Sequence, residues 1–152
     1  MYGIRIVVLC FGCFSQGIVM NLPAPIKITR NYEEYADEFL SQDIDVKAFT
    51  HLDHIGVAFE ILLRFDFLMA VQIYSESLDA IASKAGASNK FNLTVTLAFM
   101  SMIAERMQPG EEFETFVNTN QDLLELDFLK HYYSDDRLNS IKAKGMFLMP
   151  DK

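Results

Sequence analysis

Residues 49–67, FTHLDHIGVAFEILLRFDF, put apolar side chains on nearly every face of a helix: Ile55, Val57, Ala58, Phe59, Ile61, Leu62, Leu63 and Phe65. A helix apolar all round has no face to offer water, so it belongs at the centre of a fold. Its start is marked by Thr50 as N-cap and by Asp53, three residues on, as the acidic partner of a capping box. Residues 91–107, FNLTVTLAFMSMIAERM, form a second segment of this kind. The β-branched opening Thr94-Val95-Thr96 favours a strand. The length, and the continuation through Ala98, Met100 and Ile103, favour a helix. Two central helices need neighbours with at least one apolar face each.

Such neighbours are legible along the chain. Asn31 reads as the cap of a helix over about 32–41, with Tyr35, Phe39 and Leu40 on its apolar face. Residues 42–48 form a polar connection. Asp66-Phe67 either breaks or bends the first central helix. Beyond it Leu68, Val71, Tyr74, Leu78 and Ile81 recur at helical spacing until Gly86. Gln108-Pro109-Gly110 is a break. Short helices are expected at 111–117, at 123–133 behind an Asp122 cap, and at 135–142 behind Ser134. Gly145 ends regular structure before a tail. Glu60 and Arg64, four apart, are expected to pair. The reading is all-α: a compact single-domain helical bundle of five to seven helices.

A chain of 152 residues suits one domain and can bury a core without disulfides or metals. Thirteen Phe and eight Met, with no Trp, give that core an aromatic and adaptable character. The net charge of −8, with no basic run and no Gly-rich phosphate loop, argues against a nucleic-acid partner. Residues 1–19 differ from the rest. Arg5 precedes the apolar run 6–14, and Ser15-Gln16-Gly17 follows, which is signal-like. The run is too short for stable membrane insertion. Alternatively the protein starts at Met20 and residues 1–19 are a start-site extension, or the leader packs on the body. Localisation is cytoplasmic if Met20 is the start, and exported if the leader acts as a signal. Cys10 and Cys13 share a C-x-x-C spacing, but zinc would need two further ligands, so they read as small apolar leader residues. Pro23 and Pro25 make 21–29 an extended linker. The resulting division is 1–19 leader, 20–48 linker and short helix, and 49–152 helical domain.

The candidate site lies where the two central helices begin. His51 and His54 are three apart and share a face. Neutral imidazoles can ligate metals or move protons near neutral pH. Asn92 and Thr96, four apart, share a face at the start of the other helix, with Thr94 between them. Central helices of a small bundle touch, and polar groups buried between them must find partners. His51, His54, Asn92 and Thr96 are therefore expected to converge on a small polar pocket. Two histidines do not suffice for a stable metal site; Glu60, Asp53 and His131 are the candidates to complete one. The plain alternative is that the histidines are hydrogen-bonded core residues and that Asn92, Thr94 and Thr96 cap and back-bond their own helix. No serine stands in a nucleophile elbow.

Three segments, FTHLDHIGVA at 49–58, KFNLTVTLAF at 90–99 and HYYSDDRLNSIKAKGMFLMPD at 131–151, together resemble a family of small bacterial all-helical proteins. Its motifs are F-T-H-x-x-H-x-x-V-A, Y-H-x-T-x-T and Y-S-x-x-x-L-x-S-x-x-A-R before a closing P-D. The resemblance implies a helical fold and a candidate site, and no activity. His51 and His54 stand at its two histidines, and Thr94 and Thr96 at its threonines. Asn92 replaces its third histidine, and Lys144 replaces its arginine. Asparagine is a poor ligand for zinc-like metals, so no tightly bound metal is expected. The leading expectation is a domain that binds a small molecule at His51, His54, Asn92, Thr94 and Thr96. The alternatives are a structural or protein-interaction domain without a ligand, and an enzyme using His51 or His54 as general acid/base.

Overall fold

Capping decides where each helix starts. A computed structural model describes residues 24–152. The leader 1–19, with Cys10 and Cys13, lies outside the described residues. Helix α1 (Tyr32–Leu40) begins at Asn31, whose side chain accepts from the backbone N–H groups of Glu33 and Glu34. Helix α2 (His51–Arg64) begins with the full reciprocal box between Thr50 and Asp53. Asp66 breaks the chain and caps α3 (Phe67–Lys84) through the Met69 N–H. Asn92 caps α4 (Leu93–Arg106) through the Val95 N–H, so the Thr94-Val95-Thr96 opening is helical. The short helices α5 (Phe113–Thr119), α6 (Asp135–Leu138) and α7 (Ile141–Gly145) follow. The protein is all-α, and among the described residues there is no strand.

Helix α2 packs on α1, α3 and α4, which accounts for most of its apolar circumference, while Leu63 is left 51% exposed. Phe59, 1% exposed, sits between Phe113 and Phe116, with ring centroids 5.4 and 5.0 Å away. On another face of α2, Tyr32 lies flat over Gly56. A Cβ at Gly56 would come within 2.4 Å of the Tyr32 ring. That approach brings the Tyr32 hydroxyl to Asp53 Oδ1 at 2.9 Å.

The structure corrects several expectations. Tyr32, Tyr35, Ala36 and Phe39 of α1 enter the same core as α2 and α4. The chain ahead of α1 is docked at Ile26. The Asn118 side-chain amide exchanges two 2.8 Å hydrogen bonds with the Ile26 backbone, imitating a strand partner. The helix expected over 123–133 is two 3-10 turns, Gln121–Leu124 and Phe128–His131. Leu123 and Phe128 both face the core, and five-residue spacing does not fit one helical stripe. Asp122 caps nothing; its carboxylate takes Arg106 at 2.8 and 2.9 Å. The helix over 135–142 is split, because Ser140 caps α7 through the Ala143 N–H at 3.1 Å. Arg64 does not turn back to Glu60; it reaches α1, at Asp37 and the Glu33 carbonyl.

The C-terminal segment is irregular yet fixed. The Thr94 hydroxyl donates to the Met146 carbonyl (2.7 Å) and accepts from the Leu148 N–H (3.0 Å). Tyr133 donates to the Leu148 carbonyl, and Asp151 accepts from the backbone and hydroxyl of Ser134 at 2.8 and 2.6 Å. This ties the tail to the first turn of α4.

Candidate functional site

The first turns of α2 and α4 open on one cavity of about 340 Å3, closed on a third side by α3. His51 and His54 reach it from α2, and Asn92 and Thr96 from α4. Thr94 does not line it. Its side chain is buried and used by the C-terminal segment, so its inclusion among the ligand-binding candidates is corrected. Glu60, Asp53 and His131 do not line it either. Asp53 is taken by Thr50, Tyr32 and Arg30, the last at 3.1 Å, and His131 is exposed on its turn. Among the described residues, no group of three or more His, Cys, Asp or Glu is placed to hold a metal ion.

The cavity differs in character from the polar space expected from sequence. Asn92 Nδ2 donates to the Leu138 carbonyl at 2.7 Å while its Oδ1 caps α4. Thr96 Oγ1 donates back to the Asn92 carbonyl at 2.9 Å. Both side chains satisfy themselves within the protein and show the cavity little free polarity. Most of the wall is apolar, with Phe49, Ile55, Leu78, Ile81 and Phe99 prominent.

The imidazoles supply most of the remaining polarity. His51 Nε2 lies 2.9 Å from the Leu123 carbonyl, which only accepts, so Nε2 carries a proton and donates it there. The Phe99 ring meets the His51 ring edge to face at 5.3 Å. His54 Nδ1 lies 3.1 Å from the Tyr74 hydroxyl, which itself lies 3.2 Å from the His54 carbonyl. One arrangement satisfies both contacts: Tyr74 donates to the carbonyl, and Nδ1–H donates to the phenol oxygen. That leaves His54 Nε2 as an acceptor with no partner among the described residues. Burial pushes the His54 pKa down to about 4, helped by the neighbouring His51 and opposed by Asp53. His54 is therefore neutral at pH 7. The buried Tyr74 phenol is held protonated by its own burial.

Tyr74, Phe49 and Lys90 belong to the lining and were not named as site residues from sequence. Tyr74, Leu78, Ile81 and Ala82 fall at helical spacing, the signal that placed α3 against the core. That a cavity is left between this face and the first turns of α2 and α4 depends on the helix positions and leaves no mark in the sequence.

No family model, curated protein or solved structure matches this chain.

Proposed function

We propose that the protein binds a small, mainly apolar molecule in the cavity between α2, α3 and α4, with His51 and His54 as its polar contacts. The observation that carries this reading is the cavity itself. A space of about 340 Å3 beside the central helix is within the size range of ligand sites. Its mixture of apolar wall and a few placed acceptors is the usual composition of such sites.

Native mass spectrometry of protein purified from cells tests this. A small molecule retained by the wild type and lost from Ala82→Phe, whose ring would occupy the cavity, is the expected result. Wild type and variant both free of ligand, and both unable to take up an added apolar probe, would overturn it. The interaction-domain reading draws on a different observation. Leu63, Phe67, Leu68 and Met69, between 43% and 78% exposed, stand together where α2 turns into α3. The same spectra separate the two, since that reading gives a protein complex and no retained small molecule.

A further inference from the structure

We propose that the ligand carries an acidic group and that Lys90, at the rim of the cavity, holds it. The inference rests on the cavity-binding reading and adds the head group. Among the described residues, Lys90 is the one lining residue with a fixed charge, and no Asp or Glu lines the cavity. That is a pointed distribution in a chain with 21 acidic and 13 basic residues. Lys90 is exposed at the end of the turn Ser88–Lys90, which leads into the Asn92 cap. It makes no ion pair among the described residues. Lys144 donates to the Asn89 carbonyl at 2.8 Å, which brings a second ammonium to the same turn. Two ammoniums therefore stand at this turn of a molecule of net charge −8. Behind it lies an apolar wall. A molecule that satisfies both has an apolar body and an anionic end, of which a monocarboxylate is the simplest form.

Calorimetric titration of the full chain with octanoate, 1-octanol and acetate tests the proposal. An exposed ion pair is worth up to about fivefold in affinity, and salt weakens it. The octanoate-to-octanol affinity ratio should fall about three- to fivefold in Lys90→Gln and stay unchanged in Lys84→Gln, while octanol affinity itself is the same in all three proteins. Acetate should bind far more weakly than octanoate. A ratio untouched by Lys90→Gln, with octanol still bound, overturns the head group alone. Acetate binding as tightly as octanoate would also overturn it, by marking a free-anion site without a role for the cavity. If neither octyl compound binds any of the proteins, the cavity reading fails and the head group falls with it.

Discussion

At the scale of single residues, the first turn of α2 concentrates the account. Asp53 is 3% exposed and accepts from Thr50, Tyr32 and Arg30. Asp53→Ala leaves those donors without their partner and should lower unfolding free energy by about 2 to 4 kcal/mol in urea titrations; a loss under about 0.5 kcal/mol would contradict the network. Gly56→Ala drives a methyl into the Tyr32 ring and should cost about 1 to 3 kcal/mol by the same measurement. His54 makes stability depend on pH. Its ordinary pKa of 6.5 applies to the unfolded chain, against about 4 in the fold. Above 6.5 both states are neutral. As pH falls from 6.5 towards 4 the unfolded chain takes up a proton that the folded one does not, so stability is lost across that window. The loss amounts to about 3 kcal/mol at most. His54→Gln should flatten this slope, and an unchanged slope would assign it to other groups. The Thr50–Asp53 cap was legible because both partners lie within one turn of sequence. The link from Asp53 to Tyr32 and Arg30 was not, because it depends on how α1 lies across α2.

Among the elements, the two central helices could be bounded from sequence to within a residue or two, since caps and apolar run coincide there. The region after α4 could not. Local patterning suggested one helix over 123–133, whereas burial of Leu123, Phe128, Leu129 and Tyr133 imposed two tight turns. The C-terminal segment lacks periodicity and so reads as a tail. Its order comes from side chains distant in sequence: Thr94, Tyr133 and Ser134 hold Met146, Leu148 and Asp151. Thr94→Val removes the hydroxyl between two backbone groups and keeps the shape. We expect a loss of about 1 to 3 kcal/mol in stability, together with faster amide exchange at Leu148. Unchanged exchange would mean that the segment is held without Thr94. Asn92 shows the same limit from the other side. Its capping role could be read locally, but its amide's bond to the Leu138 carbonyl could not.

For the molecule as a whole, most of the apolar circumference of α2 follows from helices on three sides, and the core around Phe59 should dominate stability. Phe59→Ala should cost about 3 to 5 kcal/mol, and a loss below about 1 kcal/mol would place that ring outside the core. Among the described residues no helix is long and apolar enough to cross a membrane. Helical spacing was enough to name the histidine pair and the Asn92–Thr96 face. The apolar nature of the cavity was hidden, because it is set by how far α3 stands from α2 and α4 and by backbone groups that occupy Asn92 and Thr96. The central claim is that this cavity takes an apolar ligand, and the three histidines offer a direct test with a control built in. His51 and His54 line the cavity, and His131 is exposed away from it. In a titration with 1-octanol followed by NMR of the imidazole ring signals, His51 and His54 should shift saturably while His131 stays in place. No shift at any histidine, or equal shifts at all three, would contradict the claim.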